Sequence, residues 1–393
     1  MLNIKDYKKK REKDEFKQKL VRHRLVILYR IILVMIVLTV SAILLYINYQ
    51  NKVYTDYEVV QEYERQDADE ANYILCNGKV LKYSQDGAEV FDGANNAVWN
   101  ETYEMQNPMV ATCKDSVAIC DYKGNRIYVI SDAGEQGIIE TKLPITNISV
   151  SQQGVVAAVL EDNDVTRIFL FSKEGEELIN IRCTMAQNGY PVDISLSEDG
   201  IKLGVSYIRI ERGELKSSVA FYNFGDVGQN EIDNYASGYD YIDTVIPKVK
   251  FINSSTAFAL GDNRFNLYRG SQKPTSAFET ILNEEVQSVF YGNKSVGLVF
   301  RTGESENKFR IDVYNEEGEL SLSQKFDIDY LDIILKDDLL IIYNDTRCII
   351  YNTHGVEKFS GSFREPVLLL VPTEQKSKYL LVNRSAVQTI RLK

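Results

Sequence analysis

Two patterns of hydrophobic and polar positions divide the chain. From Leu25 to Ile47 the residues read LVILYRIILVMIVLTVSAILLYI, apolar on every helical face and broken by one charge, Arg30. As an α-helix this stretch would be about 34 Å long, enough to cross a hydrocarbon core of about 30 Å. The stem of Arg30 is long enough to carry its guanidinium back to the headgroups. The run is longer than the apolar region of a cleaved signal peptide, and no small-x-small cleavage site follows it. The pattern predicts one uncleaved transmembrane helix over residues 25–47.

Beyond residue 53 the period changes from all-apolar to alternating, and a strand–turn unit recurs. A short hydrophobic strand ends in an aromatic or aliphatic residue, followed by Ser or Asn, a polar pair and Gly, then another strand. The copies include KVLKYSQDGAEV (79–90), RIYVISDAGEQG (126–137), RIFLFSKEGEEL (167–178), RIDVYNEEGELS (310–321) and CIIYNTHGVEKF (348–359). Taking the residue before the Ser or Asn as an anchor, and adding weaker copies, gives Tyr83, Ile130, Phe171, Tyr222, Tyr268, Tyr314, Tyr351 and Ile390. Their separations are 47, 41, 51, 46, 46, 37 and 39 residues. A period of 40–50 residues fits four strands per unit. The expected fold is therefore all-β: a β-propeller of eight blades, with seven as the alternative if the terminal copies merge. Asn77-Gly78 reads as a tight hairpin turn, with Asp262-Asn263, Asn344-Asp345 and Asn383-Arg384 in equivalent places. Cys76 and Cys120 are expected at matching positions of adjacent repeats. The last copy is truncated, so a strand within Tyr54–Tyr63 (YTDYEVVQEY) is needed to close the ring.

The copies ISVSQQGVVAAV (148–159) and ISLSEDGIKLGV (194–205) resemble the strand–turn–strand of WD-type propeller repeats, and quinoprotein-type repeats are similar. The quinoprotein likeness implies a blade-docking Trp after the Gly. Here Phe91, Ile138, Leu178 and Leu320 stand in that place and the single Trp is Trp99, which speaks against quinoprotein cofactor chemistry. The architecture of one helix and an acidic propeller is also similar to an uncharacterised family of single-pass membrane proteins from clostridial-type Gram-positive bacteria. That resemblance implies no activity.

Charge sets the expected topology. Residues 1–30 carry 11 Lys or Arg against four acids, whereas the whole chain is −11. The basic flank places the N-terminus in the cytoplasm and the remainder outside. The expected organisation is a basic cytoplasmic tail (1–24), the transmembrane helix (25–47), a linker (48–53) and an extracytoplasmic propeller (54–393) of a plasma-membrane protein. So acidic a body is repelled by phosphate backbones, which excludes nucleic-acid binding.

Candidate chemistry is sparse. The body holds one histidine, His354, in a turn, and no phosphate loop, nucleophile elbow or EF-hand loop occurs. The five cysteines lack a C-x-x-C pair and read as small buried hydrophobes, with one disulfide as the competing reading. No catalytic residue, cofactor or metal is expected, although Asp327, Asp329 and Asp332 are the acids a calcium ion would use if their spacing allowed it. The longest aromatic–acidic insertion, NYASGYDYIDTVIP (234–247), supplies a candidate partner-binding loop: Tyr235, Tyr239, Asp240, Tyr241 and Asp243. The competing reading is a solvated connection between blades. The expected function is a non-catalytic binding or scaffold module of the cell envelope, its partner an envelope protein or wall polymer. The alternatives are an envelope enzyme acting on a glycan, or a single-pass sensor signalling to the basic tail.

Overall fold

The computed structural model describes residues 4–50, 52–65, 71–163, 165–336, 338–373, 375 and 377–393. The chain separates into two compact units, Met1–Val53 and Tyr54–Lys393. The first is one continuous helix, Ile4–Gln50. Within it, Arg22–Leu45 has a mean hydropathy of 2.6 and none of its side chains is buried, so the helix is long and apolar enough to cross a membrane.

The second unit is an eight-bladed β-propeller, with eight antiparallel four-stranded sheets. Blades 1 to 7 use consecutive strands and start at Asn72, Pro108, Ile145, Tyr190, Lys248, Val286 and Asp332. Blade 8 contains Val367–Pro372, Lys378–Asn383 and Ala386–Leu392, and its outer strand is Tyr57–Glu64 from the other end of the propeller sequence. The closing strand thus falls where the sequence places it, and the blade count is eight.

The repeated turn has a local cause. In blade 6 the side-chain oxygen of Asn315 accepts from the N–H groups of Glu317 and Glu319, and Gly318 adopts φ +83°. A short polar residue satisfies the turn amides, and only glycine enters the left-handed region at no steric cost. Six of the eight anchor residues also face a one-residue bulge in the outer strand of their own blade. Ile130, Phe171, Tyr222, Tyr268, Tyr314 and Tyr351 all lie at this register shift. Blade 8 repeats it between Val59 and Gln61, opposite Ile390 and Thr389, although its outer strand is not contiguous with the others.

Blade 1 corrects the alignment. Tyr83 ends the second strand, and the residue at the bulge is Phe91, so the first separation is 39 residues. The Ser-x-x-Gly pattern misleads here because it also suits the hairpin between the second and third strands. Gly87 serves a different purpose, since a side chain there would collide with the Glu101 carbonyl. Cys76 therefore ends the inner strand of blade 1 while Cys120 lies on the second strand of blade 2; both are buried but they are not equivalent. Likewise Asn77-Gly78, with φ +47° and +75° as a type I′ turn requires, joins inner and second strands. The other three turns join second and third strands. Ile138, Leu178 and Leu320 are exposed on outer strands, whereas Phe91 and Trp99 are buried.

The core lies in the seams between blades. One seam gathers Ile181 and Cys183 of blade 3 with Tyr207 and Tyr222 of blade 4, and another gathers Phe221 and Tyr241 of blade 4 with Phe251 and Tyr268 of blade 5. Inner strands are stitched by side chains. Leu196 N–H donates to Ser149 Oγ at 2.9 Å, Phe251 N–H to Ser195 Oγ at 2.9 Å, and Val249 N–H to Asp193 Oδ2 at 3.1 Å.

Candidate functional site

The segment expected as a binding loop is the outer strand of blade 4, Tyr235–Ile242. Alternation along it sends Ser237, Tyr239 and Tyr241 toward blade 5. Ser237 Oγ donates to the Pro274 carbonyl, and Ser276 N–H donates to Tyr239 Oη at 3.0 Å. The Tyr241 and Tyr268 hydroxyls share a hydrogen bond, and Asn266 Nδ2 donates to Tyr241 Oη at 3.0 Å. Tyr241 is thus a structural seam residue. Asp240 points outward and meets Arg209 at 3.2 Å. Asp243 follows the strand with φ +55°.

Tyr235 takes the opposite direction. The bulge between Phe221 and Tyr222 and their partners reverses the alternation, and a bulge re-aims side chains in this way. Its ring stands edge-on to Tyr222 at 6.0 Å, and its hydroxyl covers Gly238, the position where a side chain would obstruct it. Here a groove of about 560 Å³ opens between the outer strands of blades 3 and 4. Its walls are Ile179, Asn180, Ile181 and Arg182 from blade 3, Gln187 and Asn188 from the connection, and Tyr222, Ile232, Asp233 and Tyr235 from blade 4. The size is that of a small-ligand or short-peptide site. Its far wall exists because the chain between the third and outer strands of blade 4 makes two 3₁₀ turns, Gly228–Asn230 and Ile232–Asn234. Of the five candidate residues, only Tyr235 lines it.

Tyr222, which lines the groove, belongs to a buried chain of hydroxyl and thiol groups. Tyr207 and Tyr222 hydroxyls lie 2.9 Å apart, with Cys183 Sγ 3.7 Å from Tyr207. Burial pushes the Tyr222 phenol up to about 12 and Tyr207 well above its ordinary value, so both stay protonated.

Charged residues on the inner strands are Asp193, Lys248, Lys250, Asp332 and Lys336. The two carboxylates belong to blades 4 and 7, which are not neighbours. Asp193 is held by Val249 N–H, Asn147 and Lys248, and Asp332 Oδ1 accepts from Ile333 N–H. This separation differs from the paired acids that glycoside hydrolysis uses. Asp327 and Asp329 hold Arg347 and Lys308 and so do not converge with Asp332. Among the described residues no cluster of three His, Cys, Asp or Glu side chains is placed to hold a metal. His354 is exposed in the turn Asn352–Glu357, where its N–H donates to Asn352 Oδ1. The five cysteines are free. Burial raises the thiols of Cys76 and Cys120 to about 12 and of Cys113 and Cys183 to about 11, which leaves them protonated and unreactive.

Solved structures are similar to this chain at low identity. The WD40 domain of SCAP from fission yeast is 9% identical with a TM-score of 0.51, covering 86% of this chain and 98% of that one. BamB from Moraxella catarrhalis is 11% identical with a TM-score of 0.47, covering 86% and 100%. Hsv2 from Kluyveromyces lactis is 8% identical with a TM-score of 0.47, covering 75% and 98%. No curated protein matches the sequence. Residues 50–392, nearly all of the propeller unit and its entry, match the model of a family of unknown function (DUF5711), and the chain belongs to that family.

Proposed function

We propose that this protein is a membrane-anchored, non-catalytic binding module of the cell envelope, its helix spanning the plasma membrane and its propeller outside the cytoplasm. The observation that carries the reading is Arg22–Leu45, a segment of mean hydropathy 2.6 with none of its side chains buried. Water does not tolerate so much unshielded apolar surface, and lipid removes the cost. The basic residues before the segment favour a cytoplasmic N-terminus. A ring held by seam packing and inner-strand stitches is a rigid support for recognition, and the groove between blades 3 and 4 gives it a built concavity.

The test is protease added to intact protoplasts carrying an epitope after Lys393. The reading expects the epitope to be lost while a tag before residue 4 survives. Survival of the C-terminal epitope would overturn the topology and the envelope role together. Crosslinking in the same cells is expected to capture an envelope partner on the propeller.

A further inference from the structure

The arginines on the propeller strands follow a rule that one of them breaks. Arg126, Arg167, Arg209, Arg264, Arg269, Arg310, Arg347 and Arg391 each meet a carboxylate within 3.5 Å, and Arg301 donates to Gln287. Arg182 alone makes no ion pair or side-chain hydrogen bond with any described residue. It also stands directly across the ladder from Arg167, whose own carboxylate is Asp162. Like charges in register repel one another. A cation with no counter-charge among the described residues, beside a like charge, is unexpected on a body with a large acidic excess.

Arg182 lies in the groove, on the strand Glu177–Cys183. That strand pairs with Val165–Phe171 on one side and has no strand on the other. Asn180 and Arg182 are exposed while Ile181 is buried, so the free edge presents alternating side chains beside unpaired backbone groups. Other blades also end in an outer strand with no further strand beside it, and blade 7 takes an isolated bridge from Tyr54 there, but the edge of blade 3 faces a wall. Ile232, 86% exposed, and Tyr235, 47% exposed, stand across from it.

We propose that this groove binds an extended acidic peptide segment of a protein partner, which adds a strand to the edge of blade 3 and places one carboxylate on Arg182. The proposal deepens the binding-module reading and rests on it. An edge ladder gives affinity through main-chain hydrogen bonds and specificity through alternate side chains. The guanidinium fork matches a carboxylate in a bidentate pair. Ile232 and Tyr235 give an apolar and aromatic cover for the side chains flanking the acid. Asp233 on the facing wall limits the charge to one carboxylate, since a polyanion filling the groove meets a like charge. That feature favours a peptide over an anionic wall polymer.

The test uses a random octapeptide display library selected on the detergent-solubilised full chain and on Arg182→Glu. The wild type is expected to enrich β-branched peptides carrying one acid, and Arg182→Glu to enrich a base at the same position. For a selected peptide, fluorescence anisotropy should show a loss of about tenfold or more on Arg182→Glu, the scale of one charge-assisted hydrogen bond. Replacing its acid with Lys should restore binding to the variant, a reversal that misfolding would not produce. The same charge preference in both selections, no enrichment in either, or preferential capture of an anionic oligosaccharide would overturn the proposal. So would an Arg182-dependent dimer in sedimentation, which would make a second copy the occupant. If crosslinking captures the same envelope partner equally with Arg182→Glu, the groove assignment fails while the binding-module reading stands. If the protoplast experiment fails, the reading itself falls.

Discussion

Blades 4 and 8 hold their outer strands by equal ladders of seven residue pairs, but the two strands come from different places in the sequence. In blade 4 the strand Tyr235–Ile242 follows its neighbours in sequence and is pinned to blade 5 by side chains, through Ser237, Tyr239 and Tyr241. In blade 8 the strand Tyr57–Glu64 comes from the far end of the propeller sequence and is held by a seven-residue ladder with Ala386–Leu392. Tyr57 reinforces it: its ring is buried edge-on to Phe363, and its hydroxyl accepts from Arg364 N–H at 3.1 Å. Both outer strands carry the same bulge opposite the anchor residue. Blade geometry is thus set by register and packing, and covalent continuity is dispensable. The entropy argument agrees, because closing the ring in place of a short turn costs only roughly 4 kcal/mol more when loop cost grows with the logarithm of length.

The largest expected effect comes from breaking blade 8. Deleting residues 54–64 removes the ladder, uncovers the edge of Ala386–Leu392 and exposes the seam containing Tyr343, Phe359, Tyr379 and Ile390. The single cooperative melt of the detergent-solubilised chain should be lost. Reattaching residues 57–64 after Lys393 through a four-residue turn copied from Asn315–Gly318 should restore it, since Leu392 and Tyr57 are ladder partners. A deletion that melts like wild type would refute closure by this strand. A permuted chain that stays unfolded would show that continuity matters after all.

The closing strand was legible because its alternation, YEVVQEY, survives in isolation and the last repeat visibly lacks a partner. The strand Tyr235–Ile242 was not. Gly238 and three acids nearby read as a loop, and only the structure shows that Gly238 makes room for the Tyr235 hydroxyl. The groove was harder still. Its walls come from residues 179–188 and 222–235, and neither stretch has a pattern of its own. An Arg that lacks a partner among the described residues is invisible until the other pairs are known. The frame error at Tyr83 has the same origin, since one turn chemistry serves two hairpins of a blade.

A smaller effect distinguishes the two flanks of blade 4. Tyr241→Ala empties a seam position that is 6% exposed and strands the Asn266 amide, so it should cost about 3–5 kcal/mol. Tyr235→Ala removes a ring that is 47% exposed and should cost less than about 1 kcal/mol. In the peptide assay the order reverses, with Tyr235→Ala weakening binding at a nearly unchanged melting temperature. Equal destabilisation by both variants would mean that the strand has no inner and outer flank.

The smallest effect is the dependence on alkali, which bears on blade 4 because its outer strand relies on phenols. Burial raises the Tyr222 and Tyr241 phenols to about 12, against about 10 in an unfolded chain. A group whose folded value is raised gives stability that is complete below the unfolded value and is lost as pH climbs toward the folded one. Between about pH 10 and 12 the unfolded chain releases these protons first, and stability should fall by at most about 1.4 kcal/mol per pH unit for each group. Tyr241→Phe cannot ionise there. It forfeits the hydrogen bonds to Tyr268 and Asn266, so at pH 8 it should be less stable than wild type by about 1 kcal/mol. Toward pH 12 that gap should close, because wild type keeps losing the contribution that the variant never had. Denaturant melts at both pH values measure the gap directly. Parallel pH curves for the two proteins would mean that the Tyr241 phenol ionises as freely in the folded ring as in water, and that blade 4 is held by shape alone.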